Sequence, residues 1–254
     1  MAATLITFTQ AQVNNFVELI IWPTARVLAF ISIAPFFSSS WLPMLWRLGL
    51  GLSFSWAILP ALPHAISWPG IWGAAIILMA QILVGIGLAM VFRAMLSVFS
   101  FAGSWIALSM GLGFATTISQ QYGEESSTLG EIFSFCVLLL MIADGAIYGM
   151  IHVLAISFQL FPIGTVWPDW SWLKLANYGQ IVFTDGVLIA LPVIMMVLIA
   201  NVGMAVIARV APQVNLFAIG FPVLIMVGMV SLYWLIPWLP DIVSHLFSLS
   251  IKEL

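Results

Sequence analysis

The sequence predicts an all-α membrane protein made of kinked helices and helical hairpins, and three observations lead there. Only 15 of 254 residues are charged and 63% are apolar, whereas a water-soluble surface needs about a quarter charged residues. Two charge-free runs, Gly186–Ala208 with 23 residues and Leu216–Leu239 with 24, each meet the roughly 20 residues a helix needs to cross a hydrocarbon layer. Between them lies a short polar break containing Arg209, Pro212, Gln213 and Asn215. Pro212 removes a backbone donor and stops the first helix, while Gln213 and Asn215 can bond groups freed at the turn. This is a tight helical hairpin with Arg209 at its tip, in a chain that is integral to a membrane or buried on nearly all sides.

Six or seven apolar runs follow one another along the chain. Phe16–Phe37 comes first, interrupted by Glu18, Pro23 and Arg26, and Thr9 to Gln12 reads as a capping box that opens it. Leu48–Leu62 would extend only about 23 Å as helix, short of a bilayer core. Ile71–Phe92 and Ala94–Ile118 are separated by Arg93 alone. Ile132–Phe161 is next, and the two hairpin arms close the series, with Pro192 placed to kink the first arm.

Three polar islands punctuate these runs: Ser38–Arg47, Ser119–Glu131 and Gly164–Gln180. The second ends in another capping box, Thr128 to Glu131. The third holds Trp167, Trp170 and Trp172 beside Lys174, a clustering that marks a headgroup layer. Lys174 and Arg209 flank one helix at opposite ends, so positive charge sets no orientation. The lone Cys136 excludes an internal disulfide. A net charge of -3 argues against nucleic acid, and the first fifteen residues lack the basic start of a cleaved signal peptide.

Charges inside apolar runs are costly and often functional. Here they are Arg26, Arg93, Asp144, Asp185 and Arg209. Asp144, Tyr148 and His152 are spaced four apart, roughly an 80° arc of a single helix. That spacing suits either a proton relay or an interhelical contact that fixes packing. His64, His152 and His245 are isolated from paired cysteines or carboxylates, so no metal is expected. Gly85-Ile-Gly87 lacks the Gly-Lys-Ser/Thr that cradles phosphates. No nucleophile elbow or paired aspartate motif accompanies the serines and acids, so neither a catalytic residue nor a cofactor is expected.

Met110-Gly111-Leu112-Gly113-Phe114, followed by Thr116 and Thr117, stands apart. Glycine at this density favours a break in a helix. Irregular backbone at membrane depth survives only when buried in protein or lining a cavity. Met and Phe on glycine hinges would suit a plug that seals and moves aside. Close glycines equally suit a helix–helix contact.

With these residues in view, the chain resembles the FliR/SctT family of type III secretion export gates. The likeness is most specific at Arg209-x-x-Pro212-Gln213-x-Asn215-x-Phe217-x-x-Gly220-Phe221-Pro222. It recurs at Trp22-Pro-Thr-Ala-Arg26 with Pro35, Gln81-Ile-Leu-Val-Gly85, Ala102-Gly103, Met110–Thr116 and Phe161-Pro-Ile-Gly164. The Ile219-Gly-Phe-Pro222 ending looks more like the flagellar branch than the injectisome one. The resemblance implies a non-enzymatic subunit of the bacterial inner membrane, within the flagellar basal body. It implies assembly with several copies of FliP and FliQ into a conical stack of helical hairpins around a protein-conducting channel. FlhB and exported unfolded flagellar proteins are the further partners it implies. Residues 1–175 would be FliP-like, 176–254 a FliQ-like hairpin with a short tail, and a loop over about 106–122 the channel plug. An injectisome gate subunit and a proton-coupled secondary transporter are the alternatives.

The chain departs from the family pattern at Ser104, where an acid is usual, and at Ser109, Ser119-Gln120-Gln121 and Ala146. Polar contacts implied for those positions do not carry over.

Overall fold

The computed structural model describes residues 10–38, 42–59, 70–112, 128–164, 172–211 and 216–252. Every regular element among them is helical. They are α1 Gln10–Ile33, α2 Met44–Ile58, α3 Gly70–Ser109, α4 Thr128–Ala143, α5 Ala146–Leu160, α6 Trp172–Val210, α7 Leu216–Leu235, a 3-10 turn Ile236–Trp238, and α8 Leu239–Lys252. Among the described residues, three stretches are long and apolar enough to cross a membrane: Trp72–Ser109, Tyr178–Val210 and Ile219–Leu249. The pair α4 and α5 reaches span length only when its two helices are counted together.

Several boundaries differ from the sequence reading: α2 and α6 start inside the predicted polar islands Ser38–Arg47 and Gly164–Gln180. The runs on either side of Arg93 form one helix, α3, of 40 residues. Arg93 is exposed on its surface, where a long basic stem can follow apolar surface and keep its head outside, so one charge does not end a helix. The single run Ile132–Phe161 is instead broken. Gly145 has a φ of 74°, its amide donates to the Ile142 carbonyl at 3.1 Å, and α4 stops there. Only a residue without a Cβ takes that left-handed conformation at little cost. Pro192, by contrast, lies within a continuous α6.

By their contacts the residues fall into two compact units, 1–93 with 147–172 and 94–146 with 173–253. The core of the first is Val27, Phe30, Ile31, Leu88, Phe92 and Leu154, all at most 2% exposed. Phe30 and Phe92 meet edge to face, centroids 6.2 Å apart, a favoured aromatic geometry. Gly51 of α2 faces the Leu28 side chain so closely that a Cβ would overlap it.

The second unit is organised around small residues. Gly103 of α3 meets Gly130 of α4, where a Cβ on Gly103 would lie 2.9 Å from the Gly130 Cα. Gly186 of α6 fits against Phe101, which also packs on Phe183 with centroids 5.5 Å apart. Missing Cβ atoms let these backbones approach, the packing mode of helices that lipid does not push together. Many large side chains stay exposed, Trp72, Leu45, Met44 and Tyr233 among them. An apolar surface of this extent belongs against lipid or other subunits.

Candidate functional site

Each unit contains one tightly built locus. In the first, α1 carries Arg26 into the interior with no exposed surface. Its Nε donates to Gln81 Oε1 at 2.8 Å, and one terminal nitrogen donates to the Ser157 carbonyl at 2.8 Å and to Ser157 Oγ at 3.2 Å. The other donates to the Phe161 carbonyl at 2.7 Å, and the guanidinium lies 4.2 Å from the centre of the Phe158 ring. The Ser157 hydroxyl in turn donates to the Leu154 carbonyl at 2.7 Å.

The chemistry explains why a buried cation is tolerated here. All of these partners are neutral, but the carbonyls of Ser157 and Phe161 belong to the last turn of α5 and the residue after it. The Ser157 carbonyl also accepts from the Phe161 amide at 2.9 Å, the Phe161 carbonyl lies beyond the helix, and carbonyls at a helix C-terminus carry the negative end of the macrodipole. Pro162 follows and cannot continue the helix. Arginine's planar fork reaches several acceptors at once, and a charged donor strengthens each bond. Gly85, one turn along from Gln81, receives the backbone carbonyl of Arg26 in the space a Cβ would fill. The sequence motifs around Arg26, Gln81–Gly85 and Phe161-Pro162 therefore meet at one point.

The second locus begins at the end of α3. The amide of Gly111 donates to the Leu108 carbonyl at 3.1 Å, and that of Leu112 to Ala107 at 3.0 Å. With Gly111 at φ 83°, these two bonds form a Schellman motif that ends the helix. Met110, just before it, is fully buried. Its thioether occupies a notch at Gly228 of α7, where an added Cβ would lie 2.6 Å from Cγ, Sδ and Cε. A Cβ on Gly111 would fall 2.7 Å from the Phe221 ring. Phe221 and Gly228 are seven residues apart, two turns along one face of α7. The residues that lead out of α3 are thus seated on the second hairpin arm by two steric fits, with Leu112 half-buried beyond them.

The other predicted residues divide as follows. Gly113, Phe114, Thr116 and Thr117 lie outside the described residues, as do Pro212, Gln213 and Asn215. Arg209 is exposed in the last turn of α6, where a cation suits the helix dipole. Phe217 belongs to the first turn of α7, Gly220 is buried with the Met204 methyl 3.6 Å from where its Cβ would be, and Pro222 is exposed within α7. Ser104 donates to the Ser100 carbonyl at 2.9 Å, beside the Gly103–Gly130 crossing. Ser109 bonds back to Ile106 at 2.8 Å.

The proposed stripe of Asp144, Tyr148 and His152 does not exist as a single helical face. Asp144 stands in the break before α5, exposed, while Tyr148 and His152 lie on α5 with their rings stacked at 6.1 Å. The helical period used to align the three fails at Gly145. Sequence reasoning missed Ser157, Phe158 and Gly228 altogether. The only available signals were a serine near a helix end before Phe-Pro and a glycine two turns after Phe221.

Comparison with known proteins places these features in a family. Residues 17–250 match the family described as bacterial export proteins, family 1. The flagellar biosynthetic protein FliR of Pectobacterium carotovorum subsp. carotovorum is 34% identical, with 96% of this chain and 94% of that protein aligned. That of Escherichia coli (strain K12) is 32% identical over the same shares. The protein of the same name from Aquifex aeolicus (strain VF5) is 27% identical, covering 87% of this chain and 86% of its own length.

Proposed function

The chain belongs to family 1 of the bacterial export proteins, and from that premise we propose that it builds a protein-conducting channel together with FliP and FliQ. It is a membrane-embedded subunit of the flagellar export apparatus. In this reading it sits in the inner membrane within the basal body, where unfolded flagellar proteins are the cargo and FlhB is a neighbour. Residues 1–175 take the place of a FliP-like element and 176–254 that of a FliQ-like hairpin. The subunit is not an enzyme; energy comes from an export ATPase and the proton motive force acting on the assembly.

The observation that carries the channel reading is the seat of Met110 and Gly111 on Gly228 and Phe221. A loop that closes a channel must be anchored at a defined point, or its position would average out. Here the anchor is apolar and close-fitting, and it ties the Met-Gly-Leu-Gly-Phe segment to the hairpin that bears the most specific motif. An apolar constriction blocks ions by dewetting and needs no charged group. In the proposed mechanism Met110 anchors the segment, Leu112 and Phe114 supply that seal, and Thr116 and Thr117 continue the loop. Arg209, Pro212, Gln213 and Asn215 hold the hairpin tip for assembly.

Assembly is the test. The exposed apolar surface described above predicts that the chain made alone is degraded or aggregates, whereas co-expression with FliP and FliQ yields a stable complex of defined size. A monodisperse monomer in detergent that restores motility without those partners would overturn the reading.

A further inference from the structure

A groove of about 1120 Å³ runs between the two arms of the hairpin in the second unit. From α6 it is lined by Asp185 and Pro192, from α7 by Trp234, from the 3-10 turn by Trp238 and from α8 by Asp241 and His245, with aliphatic side chains filling the rest. Its polarity is graded. The charged or titratable side chains of its lining are Asp185, Asp241 and His245. From Asp185 towards the hairpin tip the walls are apolar as far as Met196, apart from Ser231, whose hydroxyl is already bonded to the Val227 carbonyl at 2.8 Å.

Neither carboxylate makes a hydrogen bond or ion pair among the described residues, although Asp185 lies in a helix long and apolar enough to span a membrane. A carboxylate in such a place calls for a cationic partner. Dimensions narrow the choice. From Asp185 to Met196 α6 rises about 16 Å, close to the roughly 15 Å of one leaflet, half of a hydrocarbon core of about 30 Å. Trp234 and Trp238 are 73% and 65% exposed at the groove, and exposed indoles favour the headgroup level.

We propose that this groove binds one phospholipid with a primary-ammonium headgroup, its acyl chains along the apolar walls and its ammonium between Asp185 and Asp241. His245, one turn beyond Asp241 on α8, offers a ring N–H to the headgroup phosphate. The two acids give selectivity, because a glycerol headgroup carries no cation to pair with them. Apolar burial alone would hold either lipid.

The test uses the complex assembled with its partner subunits, stripped of lipid in detergent and titrated with phosphatidylethanolamine or phosphatidylglycerol under native mass spectrometry. Phosphatidylethanolamine should occupy one site per copy of this chain, preferred over phosphatidylglycerol by about tenfold, the ratio that about 1.4 kcal/mol of charge pairing supplies. Asp185→Asn with Asp241→Asn should abolish the preference while leaving phosphatidylglycerol binding unchanged. Should that double variant fail to assemble, the competition on the unsubstituted complex decides alone. Equal retention of the two lipids overturns the proposal. So does absence of bound lipid together with efficient cross-linking of Met196→Cys to a partner subunit, which would assign the groove to a helix of that partner.

Discussion

Arg26 and Asp144 are both charged residues in apolar runs, and their surroundings give them opposite weights. Arg26 has four hydrogen bonds to three residues of two other helices and the α5 terminus. Lysine would keep the charge, but a single ammonium cannot reach Gln81, Ser157 and Phe161 together. Arg26→Lys should cost on the order of 3 kcal/mol, since bonds from charged donors are worth about 1.5–3 kcal/mol each and lysine cannot replace all of them. The yield of assembled complex should fall accordingly on size-exclusion chromatography, with residual motility tracking that yield. Asp144 is exposed in a turn and has no comparable contacts to lose. Asp144→Asn should leave swimming in soft agar near the unsubstituted level. Abolished motility with intact assembly would instead restore an ion-coupling role to that carboxylate.

At the scale of elements, the informative unit is the end of α3 against α7. Glycine acts there in two ways: Gly111 supplies a backbone conformation, and Gly228 supplies room. Gly228→Val would place branched carbons where the Met110 thioether now lies. Overpacking of a filled site costs about 1–3 kcal/mol, and the flexible Met110 offers the easiest way to relieve it by leaving the notch. The α3 terminus should then be loosened while the helices persist. The expected outcome is an assembled complex with reduced export and faster proteolytic cleavage within 110–127, measured by limited proteolysis. Gly228→Ala should show the same changes more weakly. Unchanged cleavage and export in both variants would mean that this contact does not position the loop.

Across the whole molecule, the legible features were those with a local cause. Charge-free runs of sufficient length marked the hairpin arms: α6 ends and α7 begins and ends within a few residues of them, whereas α6 starts at Trp172, fourteen residues before the first run. The paired glycines marked the end of α3, and Gly111 stops the helix through its own backbone. Arg26 was visible as a costly residue and as part of a motif, but its partners were not. Its partners lie 55 to 135 positions away, and no periodicity brings Gln81, Ser157 and Phe161 to one point. The break at Gly145 was hidden because its flanks are equally apolar. The unbroken α3 was hidden for the converse reason, since an arginine on a helix surface resembles a boundary in a hydropathy profile. The groove between the arms was illegible because Asp185 and Asp241 become neighbours only when the hairpin closes.

In the proposed mechanism the segment beginning at Met110 closes a protein-conducting channel from an anchor on α7. That closure is tested most directly by ion conductance of the complex reconstituted in planar bilayers, with Gly113–Thr117 deleted and Met110, Gly111 and Leu112 retained. This deletion leaves the Schellman cap and the Met110–Gly228 fit in place, so assembly should match that of the intact chain. The intact complex should be electrically silent and the deleted one should conduct steadily, because without Phe114 the apolar seal that excludes water and ions is no longer closed. If the deleted complex assembles normally and remains silent, the glycine segment is a packing contact and the channel is closed elsewhere.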